Sequence, residues 1–295
     1  MNSLYGAGVA LVTPFNNDGS IDFEGLSNLI EYQIAGGMDY LVSLGTTGEV
    51  ATLTKEEKKQ VLDFTAEQVA GRVPLIAGFG GNNTAELINQ LKEFRNPAYQ
   101  AILSVSPYYN KPTQEGIYQH YKAIAQATSL PIILYNVPGR TGSMITADTI
   151  IRLARDFNNI IGVKEASANF EHFTRIMASK PAHFLLISGD DALTLPMMSL
   201  GAIGVITVVG NAFPKQTRML VNYCNEWKYE EARKLHYDLL NIDDLCFIEG
   251  NPAGVKEMLQ ELHICKNYVR LPLVGVSDET KKKIAVAVKG LQARS

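Results

Sequence analysis

The stretch Ile160-Ile161-Gly162-Val163-Lys164-Glu165-Ala166-Ser167 decides how this chain is read. It is apolar, β-branched and only a few residues long, which predicts a buried β-strand. A lysine stands near its C-terminal end. Alternation puts Ile161 and Val163 on one face, and Gly162 and Lys164 on the other. With Ile161 and Val163 against covering helices, Lys164 points into whatever the sheet encloses. An ammonium buried there without a partner costs several kcal/mol or sheds its proton. A lysine in that state is a ready nucleophile for a carbonyl carbon.

Outward from this strand, the same strand-then-helix rhythm repeats about eight times. Before it come the strand-like runs Gly8-Val9-Ala10-Leu11-Val12-Thr13, Tyr40-Leu41-Val42-Ser43-Leu44, Val73-Pro74-Leu75-Ile76-Ala77-Gly78, Ala101-Ile102-Leu103-Ser104-Val105 and Pro131-Ile132-Ile133-Leu134-Tyr135-Asn136. After it come Phe184-Leu185-Leu186-Ile187-Ser188 and Gly204-Val205-Ile206-Thr207-Val208-Val209. Helical patterns separate them, the second opening on Thr54 with Glu57 at capping-box spacing and the last on Pro214, a residue suited to a first helical position. Residues 137–142 read as a loop. Alternating units joined by short connections predict a parallel (β/α)8 TIM barrel over residues 1–226, with a doubly wound open sheet as the rival. Residues 227–295 contain no strand pattern and predict three helices over 229–247, 252–262 and 278–291, a small C-terminal helical appendage for packing or subunit contact.

Composition narrows the function classes. The chain has 295 residues, 46% hydrophobic and 19% charged, with a net charge of −3, an ordinary globular balance that favours neither nucleic acid nor an anionic membrane. No window reaches the roughly 18–20 apolar residues of a membrane span, and Met1-Asn2-Ser3-Leu4-Tyr5-Gly6 lacks the pattern of a secretory leader. The three cysteines, Cys224, Cys246 and Cys265, are far apart and read as reduced residues of a cytoplasmic protein. The five histidines form no HxH or HxxxH pair, so no metal site is expected.

Catalytic groups of such a barrel belong at the C-terminal strand ends, and polar residues concentrate there. Tyr135, on the strand beside Lys164, is either a proton-transfer group or an aromatic core filler. Thr46 and Thr47 lie between Gly45 and Gly48, in a turn able to hold a carboxylate or in a plain turn. Arg140 lies close to two glycines as a clamp for carboxylate or phosphate, or as a solvated surface arginine. Gly189 and Gly210 occupy the corner where such barrels often bind phosphate, but no basic residue precedes Lys215 there. Asp190-Asp191 reads as a cap for the helix that follows. For Lys164 the bland alternative is a salt bridge to Glu165.

These segments carry a resemblance. Gly45-Thr46-Thr47-Gly48-Glu49, Pro107-Tyr108-Tyr109-Asn110, Tyr135-Asn136-Val137-Pro138-Gly139-Arg140-Thr141, Gly162-Val163-Lys164-Glu165-Ala166 and Ser188-Gly189-Asp190-Asp191, in this order, resemble the dihydrodipicolinate synthase family of the pyruvate-dependent N-acetylneuraminate lyase superfamily. The resemblance runs over nearly the whole chain. It implies an enzyme that joins pyruvate to L-aspartate-4-semialdehyde, with Lys164 as the Schiff-base residue and no cofactor beyond that covalent imine. It further implies a proton relay of Tyr135, Thr46 and Tyr109, the last supplied by a neighbouring subunit. Thr47 would hold the pyruvate carboxylate, Arg140 the carboxylate of the second substrate, and Gly189 and Ile206 would give backbone contacts. A homotetramer built as a dimer of dimers is the implied assembly. Related sugar-acid lyases carry other residues after the Tyr-Asn-x-Pro motif, so Arg140 selects the synthase; a Schiff-base lyase for a keto-sugar acid and a non-catalytic pyruvate-binding barrel are the alternatives.

Many bacterial members are inhibited by L-lysine at a site whose asparagine, glutamate and tyrosine match Asn82, Glu86 and Tyr108. The serine and histidines usual after Gly48-Glu49 are replaced here by Val50, Lys55 and Lys58. Cations there would repel an incoming lysine, so weak or absent inhibition is expected.

Overall fold

The apolar runs form the strands β1 (Gly6–Ala10), β2 (Tyr40–Ser43), β3 (Leu75–Gly78), β4 (Tyr99–Val105), β5 (Ile132–Asn136), β6 (Ile160–Glu165), β7 (Leu185–Ser188) and β8 (Gly204–Thr207). The computed structural model describes residues 4–294; Met1, Asn2 and Ser3, part of the stretch read for a leader, and Ser295 lie outside it. The strands follow one another in sequence order around a closed barrel, and their pairings are parallel. Parallel strands are covered on both faces, which is why they are written as continuous apolar runs with little polar alternation. No helix is long and apolar enough to cross a membrane among the described residues.

The helices are α1 (Phe23–Ala35), α2 (Lys55–Val69), α3 (Thr84–Glu93), α4 (Gln114–Ala127), α5 (Pro138–Thr141), α6 (Ala147–Asp156), α7 (Phe170–Ser179), α8 (Thr194–Ser199), α9 (Pro214–Asn225), α10 (Tyr229–Phe247), α11 (Ala253–Glu261) and α12 (Asp278–Gln292). Short polar side chains start many of them: Asp22, Asn83, Thr113, Thr146 and Asn169 each accept a backbone N–H of the first turn. Thr54 and Glu57 complete a reciprocal capping box.

Three expectations need correction. Residues 138–141 are helical, with Pro138 at the first position and Gly142 closing the turn at φ 69°. The first strand begins at Gly6 and ends at Ala10, and the last ends at Thr207, short of the ends of their apolar runs, because after β8 the chain winds into a 3-10 turn, Val209–Asn211, and side chains bond the backbone beyond the strands. Asn211 Oδ1 accepts from Val12 N, and Thr207 Oγ1 accepts from Gly210 N. Helix α8 opens after Leu193 with no side-chain cap, so its first flanking residue is neither Asp190 nor Asp191.

The chain forms two compact units, one of them Leu75–Ile206 and the other the chain up to Pro74 together with the chain from Thr207 on. In the Leu75–Ile206 unit the strand register builds layers. Val105, Tyr135, Lys164 and Ile187 lie in one row, and Leu103, Ile133, Gly162 and Leu185 in another that shares its face. Leu134, Val163 and Leu186, fully buried, alternate with them on the opposite face.

The other unit has a charged interior. Lys256, with no exposed surface, donates to Glu49 Oε1 at 2.5 Å and to the Tyr268 carbonyl at 2.7 Å. Glu49 Oε2 accepts from Arg270 N at 3.0 Å. The Lys256 ammonium and the Arg270 guanidinium both approach the Phe15 ring, at 4.2 and 4.4 Å from its centroid. Arg270 also makes a two-pronged pair with Glu57. This pairing, by hydrogen bonding to Arg270, holds the Glu57 carboxyl down at about 2 from an ordinary 4.5. Because the folded value is the lower one, the pair stabilises the fold fully above pH 4.5 and is lost as pH falls toward 2. We expect Glu57→Gln to cost about 1–2 kcal/mol at neutral pH, the side chain being partly exposed. Urea unfolding as a function of pH should show the gap to the parent protein closing below pH 4.5; a gap independent of pH would contradict the assignment.

Candidate active site

Strands β5 and β6 pair with Tyr135 opposite Lys164, so the two side chains leave the sheet on the same face. The Lys164 ammonium nitrogen lies 4.4 Å from the centre of the Tyr135 ring. Both residues are buried, at 4% and 7% exposure, yet Lys164 forms no salt bridge with any described carboxylate. Glu165 is not its partner. One residue further along the strand, Glu165 points to the opposite face and is wholly buried there. It accepts Asn136 Nδ2 on both oxygens, at 3.1 and 2.8 Å, and Ser167 N at 2.9 Å. His172 Nε2 of α7 lies 3.1 Å from Glu165 Oε2. A lone buried amine beside a phenol, with the neighbouring carboxylate turned away, is equipped to attack a carbonyl and to exchange protons with the adduct.

Gly189 makes the room that Lys164 needs. A Cβ at this position would fall 3.0 Å from Lys164 Cγ and Cε and 2.9 Å from Ala166 Cβ. The glycine therefore serves the lysine, and the phosphate-corner reading is unnecessary to explain it. Next to it, burial raises the Asp190 carboxyl above its ordinary value, against the lowering effect of the Leu193 and Ala192 amides. Ile206 lies on β8, buried at 1% exposure.

Arg140 sits on α5, exposed, and its side chain makes no hydrogen bond or ion pair among the described residues. A guanidinium without an internal carboxylate keeps its fork for an external anion. The surrounding loop is firmly held: Thr141 donates to the Ser143 carbonyl at 2.6 Å, and Gln114 of α4 bonds Met144 O and Thr146 N.

After β4, Tyr109 adopts φ 72°, a left-handed conformation unfavourable for an aromatic residue, and is 89% exposed. Asn82 Nδ2 donates to the Tyr108 carbonyl at 3.1 Å, and Asn110 Nδ2 returns a bond to Asn82 O at 3.2 Å. Glu86, in the first turn of α3, accepts from Gln90 on its outer face.

In the other unit, the chain after β2 makes two successive 3-10 turns, Thr46–Gly48 and Val50–Thr52, joined at Glu49 with φ 52°. Thr47 is buried, and Asn251 Nδ2 donates to its hydroxyl at 3.1 Å. Thr13 donates to Gly48 O at 2.8 Å, and Glu49 is tied to Lys256. The C-terminal helical region thus fixes the Thr46–Thr47 turn, a role beyond the packing or subunit contact that its sequence suggests. The available signal is weak: Lys256 stands next to Glu257 in α11, and a Lys-Glu pair in a helix ordinarily reads as a solvated face. No cluster of three or more His, Cys, Asp or Glu side chains arranged for a metal ion occurs among the described residues.

Comparison with known proteins follows the same line. The model of the dihydrodipicolinate synthetase family matches residues 3–291. The 4-hydroxy-tetrahydrodipicolinate synthase of Parabacteroides distasonis is 50% identical over 99% of this chain and 98% of that protein. The enzyme of the same name from Flavobacterium psychrophilum is 48% identical over 99% of each. The crystal structure of dihydrodipicolinate synthase from Aquifex aeolicus matches with a TM-score of 0.95 at 41% identity, covering 98% of each chain. A family model spanning almost the whole chain and relatives matched end to end lead to one conclusion: this chain belongs to the dihydrodipicolinate synthetase family.

Proposed function

We propose that this chain is a lyase that condenses pyruvate with L-aspartate-4-semialdehyde through a Schiff base on Lys164. The product is 4-hydroxy-tetrahydrodipicolinate, the cyclic precursor of diaminopimelate and lysine. The observation that carries the reading is the buried Lys164 amine beside Tyr135, with Glu165 facing away. Full-length relatives bearing the synthase name support the choice of substrates.

Lys164, as the free amine, attacks the ketone carbon of pyruvate, and loss of water leaves an imine. Removal of a methyl proton gives the enamine, whose carbon adds to the aldehyde. The amino group of the second substrate then attacks the imine carbon and displaces the Lys164 nitrogen as the ring closes. The imine is the electron sink, so the protein's own side chains suffice for this sequence. Tyr135, whose ring centre lies 4.4 Å from the Lys164 nitrogen, transfers protons to and from the adduct, with Thr46 and Tyr109 as the further relay. Thr47 holds the pyruvate carboxylate, Gly189 and Ile206 present backbone to the adduct, and Arg140 receives the carboxylate of the semialdehyde. The high exposure of Tyr109 in its unfavourable conformation supports its service to the site of a neighbouring copy, in a tetramer made as a dimer of dimers. A biosynthetic reaction on soluble metabolites fits a cytoplasmic enzyme.

The coupled condensation assay tests the reading. The parent protein should consume both substrates and leave sialic acid untouched. Lys164→Ala should lose roughly 1,000-fold or more in kcat. Arg140→Ala should lose roughly 100-fold in kcat/KM for the semialdehyde, with a much smaller change in KM for pyruvate. Sialic-acid cleavage without condensation would contradict it.

Asn82, Glu86 and Tyr108 are proposed as the remnant of a lysine site weakened by Lys55 and Lys58. Initial rates should be little affected by L-lysine at micromolar concentrations; strong inhibition in that range would refute the weakening.

A further inference from the structure

We infer that Asn136 is a positioning residue that couples the Lys164 strand to the loop carrying Arg140. The inference rests on the reading that Lys164 and Arg140 act on the two substrates.

Asn136 is the last residue of β5, wholly buried, and its side chain faces away from Lys164 and Tyr135. Its amide reaches in two directions. Oδ1 accepts from Ile145 N at 3.0 Å, where the loop that began at Val137 returns to the protein. Nδ2 donates to both oxygens of Glu165, the residue next to Lys164. Its own carbonyl accepts from Ala166 N at 2.9 Å, one residue further on. One planar group therefore closes the Arg140 loop from inside and clasps the end of β6. The other side-chain bonds that hold the loop run to its own carbonyls, to Pro107 O and to Gln114 on α4. None of these reaches β6.

The chemistry requires an amide. The site needs an acceptor toward Ile145 and a donor toward Glu165 on one short side chain, and asparagine supplies both. Aspartate would keep the acceptor but set a second carboxyl against Glu165 in a buried site. Alanine would leave the Ile145 N–H without its partner and Glu165 with fewer donors. The orientation of the amide follows from the same network, since the flipped form would place oxygen against carboxylate. Glu165 is itself anchored by Ser167 N and His172, so the clasp is attached to α7 and does not float.

The pairing also supplies its own test. In the double variant Asn136→Asp/Glu165→Gln the donor and acceptor change places. The introduced aspartate still accepts from Ile145 N and now also accepts from the introduced glutamine amide, so the like-charge clash of the single aspartate variant is gone. Steady-state kinetics, thermal melting and hydrogen exchange of residues 137–145 should be measured on the parent, Asn136→Ala, Asn136→Asp and the double variant. Each single variant should lose roughly 10- to 100-fold in kcat/KM for the semialdehyde, with KM for the semialdehyde rising more than KM for pyruvate. Exchange in 137–145 should quicken in the single variants, and the double variant should recover both properties to within about fivefold of the parent. Single variants with parental kinetics and exchange would overturn the inference. So would equal loss for both substrates without recovery in the double variant, the behaviour of a merely structural residue. A parent protein that fails to condense the substrates would overturn the functional reading and the kinetic half of this inference; the exchange of 137–145 then still decides whether the clasp exists.

Discussion

The register between β5 and β6 is the constraint on which the site depends. It sets Tyr135 beside Lys164 on one face and Asn136 beside Glu165 on the other. A shift by one residue would exchange the faces, putting the carboxylate against the phenol and the amine among the helices. The buried lysine is then less an isolated oddity than one half of a sorting of charges. The sheet separates the amine from the only acidic side chain adjacent to it in sequence, and Glu165 receives its own donors. A lysine kept from a salt bridge is available to a ketone; one that held Glu165 would not be.

Around this pair, buried polar contacts are concentrated where geometry matters. Gly189 leaves the space that Lys164 fills, and Asn136 ties the end of β5 to the end of β6 and to the Arg140 loop. In the other unit, Asn251 and Lys256 do comparable work for the turn that bears Thr46 and Thr47. Buried ion pairs such as Glu49–Lys256 contribute little net stability over an apolar replacement, while loss of one partner is costly. Their value here is that they hold a particular turn in a particular shape.

Much of this is legible in the sequence, and the reasons differ from residue to residue. The strands are readable because parallel strands covered on both faces are short apolar runs. Lys164 is readable because alternation gives it a face. The far ends of β1 and β8 are misread where Asn211 bonds Val12 N and the chain winds into the 3-10 turn Val209–Asn211, which no periodicity reports. Helix α5 is hidden by its length, although Pro138 and Gly142 are the proper start and stop signals. Asn251 and Lys256 cannot be connected to Thr47 and Glu49 by reading along the chain, since 204 and 207 positions separate the partners. Arg140 stands apart: an exposed arginine has no physical signature of its own, and only the surrounding motif singles it out.

The central claim is that Lys164 forms the covalent link to pyruvate, and trapping that link tests it most directly. The protein should be reduced with borohydride in the presence of pyruvate, digested, and its peptides weighed. The predicted result is a single added pyruvyl group, reduced and located on Lys164, and none when pyruvate is omitted. An unmodified Lys164, or an adduct confined to another lysine, would contradict it.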